Sequence, residues 1–177
     1  MGKFRKPICT ICTLCLLVMF LCPTSVFAST KASYEAQQDI DTVRSYTTIY
    51  ADGRASFDYE RAKANQEPEE ILEIGTLVEE FADAYYNASL GIVLAVELPV
   101  YGNWCGPGYG EGNGAPIDAL DAACMEHDKC YERTHYNKCD QALVDTINSK
   151  IQYMSGKQLN TAKAIIFVFD EILPCRN

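Results

Sequence analysis

The sequence predicts an all-α protein: two antiparallel helices within reach of disulfide linkage, a glycine-rich loop ahead of them, and further helices on the N- and C-terminal sides. Three observations carry that expectation. After Pro68, Ile71, Leu72, Ile74, Leu77, Val78, Phe81, Ala84 and Tyr85 recur at threes and fours, the spacing of a helix buried along one side. Two helix-length segments, about 117–134 and 140–155, flank a short turn at Asn137-Lys138 and carry cysteines on both sides of it. Between these regions, Pro99 to Pro116 is a glycine-rich loop.

Residues 1–28 have the order of a cleaved export signal: basic MGKFRK, apolar ICTICTLCLLVMFLC, then Val26-Phe27-Ala28 before a cut. The apolar run is about 15 residues, against roughly 20 for a spanning helix. Its removal takes Lys3, Arg5 and Lys6 and no acid, which moves the formal charge from −9 to −12. So acidic a chain is a poor nucleic-acid binder and gains nothing from long-range attraction to anionic membranes. Cys105, Cys124, Cys130, Cys139 and Cys175 remain, and an exported chain favours disulfides over free thiols.

Residues 29–68 read as a polar leader or N-terminal extension, either short helices or a flexible segment, and 69–177 as the domain proper. Glu69 and Glu70 suit a helix start after Pro68. Asn87-Ala88-Ser89 is a glycosylation sequon that reads equally well as plain surface. Pro116 precedes the first helix of the pair, with Asp118 and Asp121 near its positive end. The second is expected to stop at Gly156, and a last helical stretch over 158–173 carries AIIFVF before Pro174. That apolar run fits docking on the helix pair or a lipid-facing site equally.

Positions three and four apart share a helix face, which groups Cys124, His127, Asp128 and Tyr131 and turns Cys130 toward the neighbouring helix. A Cys130–Cys139 bond would staple the two helices, and a Cys105–Cys124 bond would draw the loop onto the His127 face. Four cysteines allow three pairings, and the sequence does not choose between them. Glycines let carbonyl oxygens converge, and carbonyls with a carboxylate such as Asp128 are the hard donors that calcium prefers. His127 beside that ion is free to act as a base, with Asp140 as the acceptor that orients its other nitrogen. Together these predict a hydrolase using activated water. A zinc site at Cys124, His127, Cys130 and Cys139 has passable spacing, but an oxidising compartment and the acceptor-rich loop argue against it.

At these residues the sequence resembles the secreted phospholipase A2 superfamily, in its short, divergent CGPG-loop type. The motifs are YGNWCGPG at 101–108, PIDALD at 116–121, CMEHDKCY at 124–131 and CD at 139–140. The resemblance implies calcium (Ca2+) held by the carbonyls of Trp104, Gly106 and Gly108 and the carboxylate of Asp128. It implies His127 as general base, Asp140 as its orienting carboxylate, Tyr131 in the same network, and the Gly106 N–H at the oxyanion. The implied activity is hydrolysis of the sn-2 ester of glycerophospholipids at a membrane or micelle surface, by a secreted enzyme without an acyl intermediate. The alternative function is a non-catalytic calcium- or lipid-binding exported module with the same fold.

Several positions depart from the family's pattern. Asn103 and Ala123 stand where many members carry cysteines. The eight residues between Cys130 and Cys139 leave no room for a two-stranded wing. No tyrosine is clearly matched to the second hydrogen bond on the orienting Asp, with Tyr136 and Tyr153 as candidates. Cys175 is odd in number, either free or paired with another chain.

Overall fold

The computed structural model describes residues 24–89, 99–108, 114–131 and 136–173. Helix α1 (Thr24–Tyr46) leads into a hairpin of β1 (Thr47–Ile49) and β2 (Ala55–Phe57). The strands are antiparallel, with Thr47 opposite Phe57 and Ile49 opposite Ala55. Short α2 (Tyr59–Ala64) precedes α3 (Glu69–Ser89). Beyond the glycine loop come α4 (Ala119–Tyr131) and α5 (Tyr136–Lys150). A 3-10 turn, Ile151–Tyr153, leads to α6 (Gly156–Phe167), which continues as a π-helical turn, Val168–Ile172. The described protein is thus all-α apart from one small hairpin.

The stripe expected on α3 is its buried face: Ile71, Leu72, Ile74, Val78 and Phe81 all lie in the core. They pack mainly against α6, which is buried on every side from Asn160 to Phe167. The AIIFVF run is therefore core, because a helix apolar all round needs partners all round. Two polar side chains inside this rod are paired: Lys163 donates to Asp39 at 2.5 Å, and Asn160 to Glu73 at 2.7 Å.

Residues 31–68 belong to the same core. Helix α1 buries Ala36, Ile40, Val43 and Tyr46, at helical spacing, against α3 and α6. The hairpin turns at Asp52-Gly53, with Gly53 at φ +88°. Its Phe57 lies so close to α3 that a Cβ at Gly75 would stand 2.4 Å from the ring.

Three boundaries differ from expectation. Helix α5 starts at Tyr136, so Asn137 and Lys138 are helical and Asp140 sits in its second turn. Helix α5 ends at Lys150, and Gly156, at φ +53°, opens α6 instead of closing α5. Helix α1 begins at Thr24, ahead of the cut expected after Ala28. Most of the expected export signal (1–23), the stretch 90–98, His135 and Cys175 lie outside the described residues. Among the described residues, no helix is long and apolar enough to cross a membrane.

Candidate active site

Two carboxylates at the start of α4 hold the loop. Asp118 caps the helix, accepting from the N–H groups of Leu120 at 2.9 Å and Asp121 at 3.0 Å. Its other oxygen accepts from the Tyr101 hydroxyl. Burial first, and then this bond to Asp118, push the Tyr101 phenol up to about 12. Asp121 is fully buried and reaches back along the chain. It accepts from the N–H groups of Asn103 at 3.0 Å and of Trp104 and Ile117 at 2.8 Å. Gly102 passes so close that a Cβ would stand 2.4 Å from the Asp121 carboxyl carbon, and its φ of +59° suits glycine.

The Cys105–Cys124 disulfide, with Cα atoms 5.1 Å apart, fixes the same loop one turn further along α4. Trp104 Nε1 donates to the Gly114 carbonyl at 2.9 Å and Asn103 Nδ2 to the Ala115 carbonyl at 2.7 Å, tying the two described arms of the loop together.

Helices α4 and α5 run antiparallel, since His127 meets Asp140 while Cys130 is bonded to Cys139. With Cys124, Cys130 and Cys139 all in disulfides, the zinc arrangement is excluded. His127 is 7% exposed and Asp140 8%. His127 Nε2 lies 2.9 Å from Asp140 Oδ1, and the Tyr131 hydroxyl donates to that same oxygen. A carboxylate only accepts, so Nε2 carries the proton of this contact, and in the neutral ring the lone pair falls on Nδ1. Nδ1 stands 3.9 Å from Asp128 Oδ1, beyond hydrogen-bond length. The His127 ring is flanked by Tyr131, at 4.3 Å between centroids, and met edge-on by Phe169 at 5.1 Å.

The donor set around the loop suits a hard cation. Gly106 (φ +151°) and Gly108 (φ +67°) take backbone conformations that reorient their carbonyls. No described residue donates a backbone hydrogen bond to the carbonyls of Trp104, Gly106 or Gly108. Among the described residues no three His, Cys, Asp or Glu side chains converge on one point. A metal here would therefore rely on backbone oxygens plus Asp128, whose side chain is 34% exposed, and that set fits calcium.

The structure thus brings His127, Tyr131 and Asp140 together, and holds Trp104 and Gly106 beside the same helix. Tyr153 is 81% exposed and is no partner for Asp140; the Tyr136 side chain lies outside the described residues. Sequence reasoning placed Asp118 and Asp121 at the helix start but missed that they clamp the loop. The signal was their spacing of three, which puts both on one side of the first turn. Phe169 carried no local signal.

A sequence model described as Phospholipase A2 matches residues 81–166. The chain is 34% identical over 74 residues to the basic phospholipase A2 beta-bungarotoxin A1 chain of Bungarus flaviceps flaviceps, covering 42% of this chain and 41% of that protein. It is 46% identical over 43 residues to phospholipase A2 SSD387 of Scolopendra dehaani, covering 24% and 27%. It is 43% identical over 54 residues to the acidic phospholipase A2 homolog taipoxin gamma chain of Oxyuranus scutellatus scutellatus, covering 30% and 34%. The matches thus span less than half the length of each of these relatives. No solved structure matches.

Proposed function

From the chain's membership of the secreted phospholipase A2 superfamily, we propose that it is an exported, calcium-dependent enzyme that hydrolyses the sn-2 acyl ester of glycerophospholipids. The observation that carries this reading is the buried contact of His127 Nε2 with Asp140, which leaves Nδ1 as a base.

In the proposed reaction His127 Nδ1 takes a proton from water as the water oxygen attacks the ester carbonyl carbon. Asp140 stabilises the imidazolium through Nε2–H, and Tyr131 holds the carboxylate in place. The Gly106 N–H donates to the oxyanion. Collapse breaks the bond to the glycerol oxygen, which receives the proton from Nδ1, and a fatty acid and a lysophospholipid leave. Calcium, held by the carbonyls of Trp104, Gly106 and Gly108 and by Asp128, would supply charge neutralisation at the phosphate and carbonyl oxygens. Beside the His127 ring is a cleft of about 180 Å³ whose walls include Ala123, Leu143 and the Cys130–Cys139 bridge. It admits part of an acyl chain, and the remainder would stay at the membrane or micelle surface.

The test is hydrolysis of mixed phospholipid vesicles with and without calcium, identifying the released chain. Release of the sn-2 acid only with calcium supports the reading. Release from sn-1, or no release, overturns it.

A further inference from the structure

The proposed reaction uses nothing from α1, yet α1 grips the element that touches the base. Asp39 accepts from buried Lys163 at 2.5 Å. Arg44 pairs with Glu171 at 2.6 Å, and its guanidinium carbon lies 6.0 Å from the Phe167 ring centroid. Lys163, Phe167 and Glu171 are four apart, so α1 holds a single ridge of the rod formed by α6 and its π-helical turn.

Phe169 projects from the same turn to a different set of partners. Its ring meets His127 edge-on, at 5.1 Å and 85°, and Tyr85 at 5.7 Å and 83°. The π-helical turn, Val168–Ile172, contains both Phe169 and Glu171, so the residue α1 grips and the residue that meets the base share one turn. Such turns are rare in helices and frequent at functional sites.

We propose that Phe169 is a positioning residue for the His127 ring, and that α1 is the clamp that holds its turn in register through Arg44–Glu171 and Asp39–Lys163. Helix α1 is then a working part of the site. Only the kinetic readout below rests on the hydrolase reading.

Arg44 and Glu171 are partly exposed, and pairs of that kind contribute little to stability, so Arg44→Ala should fold normally. The chain has two histidines, and in a His135→Asn background the imidazole proton NMR signals belong to His127 alone. Phe169→Leu is expected to shift those signals and lower kcat about tenfold with KM within about twofold, as misplacement of a catalytic group does. Arg44→Ala is expected to move the same signals in the same direction and lower kcat about threefold, and Arg44→Lys to restore both. Wild-type His127 signals in Arg44→Ala would overturn the clamp, even if Phe169→Leu proved unstable. Because loss of the Phe169 ring current shifts the His127 signals by itself, the positioning role is read from the NOE between the His127 and Tyr131 rings, 4.3 Å apart, and a wild-type NOE in a folded Phe169→Leu would overturn it. Shifted signals in both variants of a protein that hydrolyses no phospholipid would uphold the clamp while the hydrolase reading failed.

Discussion

His127 and Tyr131 address the same oxygen of Asp140, the histidine through Nε2 at 2.9 Å and the tyrosine through its hydroxyl. They are one helical turn apart on α4, and their common acceptor is on α5. The Cys130–Cys139 bridge ties those helices within one turn of the contact, so the base cannot drift from its carboxylate without distorting a covalent link. His127→Gln should therefore leave the thermal midpoint nearly unchanged while lowering fatty-acid release by about 10²–10⁴, the usual contribution of a general base. Tyr131→Phe keeps the His127–Asp140 contact and removes one donor to a charged carboxylate, a bond worth about 1.5–3 kcal/mol, so the loss should be roughly ten- to a hundredfold and part of it should appear in the melt. Vesicle assays beside thermal melts separate the two, and a His127→Gln enzyme at wild-type rate would remove the base from the scheme.

Asp121 should matter to stability as much as to the loop. It is fully buried and accepts from three backbone N–H groups. An asparagine there offers one oxygen and turns an NH2 toward donors. One or two unpaired buried N–H groups, at about 1–3 kcal/mol each, predict a loss of about 1–6 kcal/mol for Asp121→Asn. Guanidinium unfolding reads this directly, and an unchanged midpoint at unchanged slope would show that the loop is held by other means.

What was legible in the sequence follows from the range of the signals. The apolar spacing on α3 and the acids at the start of α4 are local patterns, and the structure uses them within a turn or two. The meeting of His127 with Asp140 was legible because a short connection forces two helices to lie side by side. The packing of α1 was not, since Ala36, Ile40, Val43 and Tyr46 form a thin stripe in a polar segment, and its partner α6 lies more than a hundred residues away. The Asp52-Gly53 turn signal was present, but the three-residue strands around it are too short for alternation to show. Phe169 meets His127 only through that distant packing.

Alkaline titration offers a check on the Tyr101 anchor. Its phenol is pushed up to about 12 by burial and by the bond to Asp118, against an ordinary value near 10. The folded state therefore holds this proton more tightly than the unfolded chain does. The associated stability is fully present below about pH 10 and is lost as the pH rises toward 12. Unfolding free energies measured over that interval should fall more steeply for wild type than for Tyr101→Phe. Parallel slopes would mean that the hydroxyl titrates like a free tyrosine.

Calcium can be tested without any substrate. The proposed carbonyl donors of Trp104, Gly106 and Gly108 belong to a loop held by Asp121 and the Cys105–Cys124 bridge, so they converge only in the folded chain. A ligand that binds only the folded state stabilises it by mass action, about 2.7 kcal/mol at one hundred times Kd. Calcium should therefore raise the melting temperature of the wild-type protein, and chelation should reverse the rise. Asp128→Asn removes the one charged donor and should abolish most of this shift, while leaving the calcium-free melting temperature within a few degrees, because Asp128 is a third exposed. His127→Gln should keep the shift, since imidazole is not among the donors. A shift that survives Asp128→Asn but vanishes in His127→Gln would move the metal onto the histidine and reverse the division of labour between the two neighbouring residues.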